Sequence, residues 1–151
     1  MAIAYFERGN AYFMMGKYDE AISSWEDAKN NIKHGEMIDY ESLHLPYILC
    51  KSEIALNKSI ALYYADMMDE CNLLLDEARG YSIVKDDIEA IAQQMISGAD
   101  VYPCTVDDTI LFSPPKLPPS MIDMMKKANG TLGIQSNSGN SASSQSAIIS
   151  A

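Results

Sequence analysis

The chain has 151 residues, with 21 Asp and Glu against 11 Lys and Arg, a formal charge of -10 and a pI near 4.4. That length suits one domain with a buried core, since 48% of the residues are hydrophobic, and the acidic balance disfavours nucleic acid and anionic membrane surfaces, which are bound through clustered Lys and Arg. No apolar run approaches the ~18 residues of a membrane span, and Glu7 and Arg8 interrupt the N-terminus before a signal-peptide core could form, so the chain reads as cytoplasmic.

The first predicted element pair is the most informative. Between Ala4 and Lys29, large residues at Tyr5, Tyr12, Tyr18 and Trp25 alternate with small ones at Gly9, Ala21 and Ala28. Gly16-Lys17-Tyr18-Asp19-Glu20 reads as a turn: Gly ends one helix, and the two acids sit at the positive end of the next. Ala21, Trp25 and Ala28 then follow at spacings of four and three along one helical face. This order of large, small, Gly turn, Tyr, Ala, aromatic and Ala is that of a tetratricopeptide helix hairpin, in which the first helix lacks bulk where the second crosses it. The fold class expected is therefore all-α, a tetratricopeptide helix-hairpin array.

Residues 31–51 are longer than an ordinary connection between stacked hairpins. Ile38 and Tyr40, and Leu43, Leu45, Tyr47 and Leu49, alternate with period two, which allows a small hairpin or extended insert; Tyr47 onward could equally open the next helix. A fainter repeat follows at 52–80, with Ser59 and Leu62 in the slots of a first helix, Cys71, Leu75 and Ala78 in those of a second, and Met68 in place of the turn aromatic. Residues 84–97, with Ile88, Ile91, Ala92 and Met95 at helical spacing, are expected to cap the array, giving a repeat domain over 2–99. Nothing in the sequence shields the outer side of the first repeat, which predicts further repeats upstream, a partner surface or a truncated product.

Charge and composition change beyond this body. Residues 1–99 carry 17 acidic and 8 basic side chains, residues 100–151 only 4 and 3. Five of the six prolines lie between Pro103 and Pro119, which excludes a continuous helix and predicts an extended, proline-rich arm over 100–119. A short amphipathic helix is expected at 120–129, capped by Ser120 and stopped near Gly130, and residues 130–151, rich in Ser, Asn and Gly, are expected to be disordered.

Little points to chemistry. Cys50, Cys71 and Cys104 have no paired spacing and read as buried or half-buried thiols, with neither a disulfide framework nor a metal site expected. The sequons at Asn57 and Asn129 would matter only in a secretory context. There is no phosphate-binding Gly-Lys-Ser/Thr loop and no dinucleotide fingerprint, so neither a catalytic residue nor a cofactor is expected. Asn10 and Asn57 occupy places suggestive of a chaperone-tail clamp, but Phe6 and the acidic body argue against an anion site.

Ala4-Tyr5-Phe6-x-Arg8-Gly9, Gly16-Lys17-Tyr18-Asp19-x-Ala21-Ile22, Ile38-Asp39-Tyr40 within a long insert, and Leu111-Phe112-x-Pro114 before a helix with Lys126-Lys127 together resemble the neutrophil cytosolic factor two and fungal oxidase-regulator family. The resemblance covers about residues 2–133 and corresponds to the family's third and fourth repeats and its activation arm. It implies a non-catalytic regulatory adaptor that binds an activated Rac-type small GTPase and stimulates a membrane NADPH oxidase flavocytochrome, and hence superoxide production. By the same resemblance, Lys33, Gly35, Met37 and Asp39 fall on GTPase-contact positions, and Val106, Leu111, Phe112 and Pro114, with Pro103, on the oxidase-activating arm; Asp108-Thr109 stands where the family has Val-Gly. Read from the residues alone, Asp39 could instead cap a local turn, and Leu111 and Phe112 could tuck the arm back into the concave groove of the repeats. A generic protein-interaction scaffold is the remaining alternative.

Overall fold

Helices α1 (Ala2–Met14) and α2 (Tyr18–Asn30) form a first hairpin, and α3 (Lys51–Tyr64) and α4 (Met68–Gly80) a second. The computed structural model describes residues 1–84, 86–111 and 119–131. Between the hairpins lies a two-stranded antiparallel ribbon, β1 (Met37–Asp39) and β2 (Ile48–Cys50), and after them come α5 (Ile88–Ile96), α6 (Asp108–Leu111) and α7 (Pro119–Thr131). The chain divides into two compact units, Met1–Pro114 and Pro115–Ala151, the second containing α7.

The second hairpin repeats the first 50 residues further on, since α2 and α4 run from Tyr18 and Met68 to Asn30 and Gly80. Their turns share one local device. The Gly16 and Lys17 N–H groups donate back to the Phe13 and Tyr12 carbonyls, and those of Asp66 and Met67 to the Tyr63 and Leu62 carbonyls. Both are helix C-caps that put one residue in the left-handed region, Gly16 at φ 71° and Asp66 at φ 60°. Glycine takes this conformation without strain; Asp is among the few side chains that tolerate it, which is why the second turn is hard to see by eye.

Within the first hairpin the decisive packing is Gly9 against Trp25. A Cβ at Gly9 would overlap the indole, which is fully buried with Ala21 and Ala28. The indole N–H donates to the Phe6 carbonyl at 3.1 Å and to Asn10 Oδ1 at 3.2 Å, so the ring is oriented as well as buried. Tyr5, Tyr12 and Tyr18 are half-buried around this core, while Phe6 and Phe13 lie inside it. In the second hairpin Cys71, Leu75 and Ala78 face the core with Leu62 and Ser59. Met68 is exposed. α2 and α3 pack together, and the ion pairs Lys58–Glu26 and Lys29–Glu77 tie α2 to α3 and α4. Ile88, Ala92 and Met95 of α5 are buried on the far side, with the Met95 sulfur 4.0 Å from the Cys71 thiol.

Several boundaries differ from the sequence expectation. The capping helix begins at Ile88 rather than Val84. The Ile83 N–H donates to Glu36 Oε2 at 2.9 Å, holding this stretch to the insert instead of letting it wind into a helix. The insert resolves its open alternative: its second half pairs as a strand, and the next helix starts at Lys51, not Tyr47. Within it, Leu43 belongs to a 3-10 turn (Glu41–Leu43) and is exposed, so the period-two run is not one strand. The arm is irregular from Val101 to Asp107 but then coils into α6, because Asp107 Oδ1 accepts both the Thr109 N–H (2.8 Å) and the Thr109 hydroxyl (2.5 Å). α7 starts at Pro119, whose fixed φ suits a first helical position, and runs through Gly130 to Thr131 rather than stopping short of them. The expected disorder over 132–151 lies outside the described residues.

Candidate functional site

The insert builds a small exposed platform. Register pairs Met37 with Cys50, Ile38 with Leu49 and Asp39 with Ile48, so alternation turns Ile38 and the buried Leu49 inward and leaves Met37, Asp39 and Ile48 exposed. Lys33 and Gly35 precede β1 and are also exposed, Gly35 at φ 68°. The platform is anchored from beneath. Tyr40 is buried, and its hydroxyl accepts the Ile3 N–H at 3.0 Å, satisfying one of the amides that α1 leaves unpaired at its first turn. Tyr47 donates its hydroxyl to Glu53 Oε1 at 2.6 Å, and the Lys51 N–H donates to the Glu36 carbonyl at 2.8 Å. Burial first, and then the Glu53 carboxylate, push the Tyr47 hydroxyl well above its usual pKa, so it remains a donor.

Asp39 has a structural task too. Its Oδ1 accepts the Glu41 N–H at 2.9 Å, an Asx-type turn that starts the loop between the strands. One carboxylate oxygen is thus engaged locally while the residue stays exposed.

The second feature is the groove along α1 and α3, which the chain fills itself. After α5, residues 99–107 cross from the end of α3 towards α1. Tyr63 Oη lies 3.4 Å from the Ala99 carbonyl; Tyr64 Oη donates to the Val101 carbonyl at 2.9 Å and accepts the Val101 N–H at 3.0 Å. Asn57 Nδ2–H donates to the Cys104 carbonyl at 2.9 Å, and its Oδ1 accepts the Cys104 N–H at 2.7 Å. Glu7 Oε1 accepts the Asn10 amide at 3.0 Å and the Val106 N–H at 3.3 Å. Val101, Pro103 and Val106 are buried beneath this series of bonds. Burial raises the Glu7 carboxyl above its ordinary pKa, while the Val106 N–H and the Asn10 amide pull it down.

Of the residues the resemblance assigned to the arm, Val106 is thus packed into the groove and Leu111 closes α6. Phe112 and Pro114 lie outside the described residues. Asn10 and Asn57, the polar pair of the clamp alternative, are buried, joined at 3.3 Å, and occupied by Trp25, Glu7 and Cys104. They do not line an open anion site. Sequence reasoning missed the roles of Tyr40, Glu53, Asn57 and Tyr64; the only local signal was Asn and Glu at positions where repeat helices bury their inner face. Among the described residues the three cysteines form no disulfide, burial raises the Cys71 pKa, and no helix is long and apolar enough to cross a membrane.

With this geometry in place, comparison with known proteins adds one relationship. The chain is similar to neutrophil cytosol factor 2. It is 38% identical to the Bos taurus protein over 65 residues, which is 43% of this chain and 12% of the relative. It is 41% identical to the Mus musculus protein over 64 residues and 38% identical to the Homo sapiens protein over 65. The chain matches only 12% of the length of these relatives. No protein-family model matches it. The similarity to neutrophil cytosol factor 2 agrees with the family resemblance read from the sequence.

Proposed function

We propose that this chain is a non-catalytic regulatory adaptor of a membrane NADPH oxidase, cytoplasmic and recruited through its partners. It docks an activated Rac-type GTPase on the ribbon edge and acts on the flavocytochrome through the arm. The observation that supports the docking half best is the ribbon itself: a pair of strands anchored by Tyr40 and Tyr47 that holds Met37 and Asp39 exposed on one face, with Lys33 and Gly35 beside them. An apolar thioether between an acid and a base suits protein recognition, since neither charge needs to be fully desolvated. The arm half rests on the similarity to neutrophil cytosol factor 2 and on the groove, which fixes Cys104 to α3 and Val106 to α1 just ahead of α6.

The test uses a Rac-type GTPase loaded with a GTP analogue or with GDP, titrated into the full chain. Preferential binding of the GTP-analogue form is expected, weakened by Lys33→Glu and by Asp39→Asn. The Asn variant keeps an acceptor for the Glu41 N–H while removing the charge, so it separates recognition from turn formation. Equal binding to both nucleotide states, or no binding, would sink the GTPase reading. In a reconstituted oxidase, Phe112→Ala should abolish stimulation of superoxide production and leave GTPase binding intact; undiminished stimulation would show that the arm does not act on the oxidase.

A further inference from the structure

The edge of the array opposite the ribbon carries apolar surface that the ribbon-edge reading leaves unused. α1 and α3 both end there, and the two turns are joined by an aromatic cluster: Tyr18 stacks on Tyr64 with ring centroids 6.0 Å apart, and Phe13 meets Tyr64 edge-on at 5.6 Å. The Tyr63 and Tyr64 hydroxyls bring Ala99 and Val101, just beyond α5, to the same end. Around this cluster Met14 is 73% exposed, Met15 59%, Met67 41% and Met68 40%, with Ile96 at 75% and Tyr102 at 68%. The rings within are packed and rigid, while the thioethers around them stay in water. Unbranched methionines on a firm base form a surface that adapts to differently shaped apolar partners.

Charge narrows the partner. Asp19, Glu20, Asp66, Asp69, Glu70 and Asp100 lie at this edge and are exposed. The matching cation is Lys17, whose ammonium sits 5.9 Å from the centre of the Tyr12 ring. Asp19, Glu20, Asp69 and Glu70 also favour the first turns of α2 and α4, which accounts for their presence but not for the methionines between them. A second copy of this chain would set the acidic rim against itself, and an anionic membrane would be repelled by it. We propose that this methionine-rich, acid-rimmed edge docks an amphipathic helix with an apolar stripe flanked by Lys and Arg, supplied by a partner protein. The contact is independent of the GTPase reading, because it lies at the other edge of the array.

The probe is a synthetic 20-residue helix of Leu, Trp and Lys with one apolar face, compared with a scrambled peptide of the same composition and with vesicles of phosphatidylcholine alone or mixed with phosphatidylserine. Fluorescence titration with the full chain should show micromolar binding of the patterned peptide and at least tenfold weaker binding of the scrambled one. The double variant Met15→Ser, Met68→Ser should weaken the patterned peptide at least tenfold, with unchanged circular dichroism because both side chains are exposed. Leu43→Ser, exposed on the insert at the opposite edge, should leave it unchanged. Asp69→Lys should weaken it too and reduce its salt dependence. Equal affinity for both peptides would reduce the contact to charge alone, indifference to the methionine variant would place it elsewhere, and tighter binding to vesicles would make the edge a membrane surface; each overturns the proposal.

Discussion

The side chain of Asn57 holds the peptide unit of Cys104 by both of its polar groups, donating at 2.9 Å and accepting at 2.7 Å across 47 residues of sequence. Asn57 is fully buried in α3, and the clasp recognises backbone, so any residue but proline at 104 could present it. Asn57→Ala would remove both of these part-buried bonds to the Cys104 backbone. The expected cost is about 1–3 kcal/mol for the two bonds together, at about 0.5–1.5 kcal/mol net for each. Hydrogen exchange should accelerate at residues 101–106 more than in α1 or α2, since the clasp holds the strip rather than the hairpins. Unchanged protection there would mean that Tyr64 and burial of Val101 and Val106 suffice.

Gly9→Ala sets two effects against each other. Alanine favours a helix interior by about 1 kcal/mol over glycine. Here a Cβ would overlap a fully buried indole whose N–H is already committed to Phe6 and Asn10, and such overpacking costs about 1–3 kcal/mol. The clash should win because the ring cannot move without breaking those bonds. Urea denaturation should show net destabilisation, and the emission of Trp25, the chain's one tryptophan, should shift red.

Two carboxylates should give opposite pH signatures. Glu7 has its pKa raised by burial, against the pull of the Val106 N–H and Asn10. A group that holds its proton more tightly when folded stabilises most below its unfolded pKa, and that contribution is lost as pH rises through the folded value. Glu7→Gln, which keeps an acceptor for Val106, should therefore gain stability relative to the parent as pH rises above the unfolded carboxylate range and through the raised folded value. Glu77 runs the other way: burial would raise its pKa, but the Lys29 ammonium and the Tyr81 hydroxyl hold it below the ordinary value. Its stabilisation is present above the unfolded pKa and lost as pH falls through the folded one, so Glu77→Gln should cost stability at neutral pH and progressively less in acid. Denaturant midpoints of the two variants across pH check both signs.

Tyr40→Phe removes the hydroxyl that accepts the Ile3 N–H and leaves the ring in place. A loss of about 1 kcal/mol is expected, the usual net worth of one such bond. Exchange of the Ile3 amide should accelerate, while β1 and β2 keep their protection because their ladder does not use that hydroxyl. Protected Ile3 in the variant would show that the helix start does not rely on the insert.

The helix hairpins were legible because their determinants are local. Gly16 in a left-handed cap, acids on the first turn of α2, and Ala21, Trp25 and Ala28 on one face all act within a few residues, and periodicity records such contacts directly. The insert was half legible. Alternation suggested strands, but whether Tyr47 opened a strand or a helix depended on pairing with Met37–Asp39; the turn role open to Asp39 is met by its bond from the Glu41 N–H. For the segment after α5, a fold-back into the groove was one reading, expected through Leu111 and Phe112, but the residues that the groove buries are Val101, Pro103 and Val106. Its prolines said only that it could not be a helix throughout, while its place in the groove depends on Tyr64, Asn57 and Glu7 from two other helices. Composition and spacing thus determined by themselves the acidic charge, the all-α class and the hairpin turns. Tertiary structure alone decided which residues fill the groove, Val101, Pro103 and Val106, and which partners hold them there, because that outcome rests on hydrogen bonds between residues dozens of positions apart.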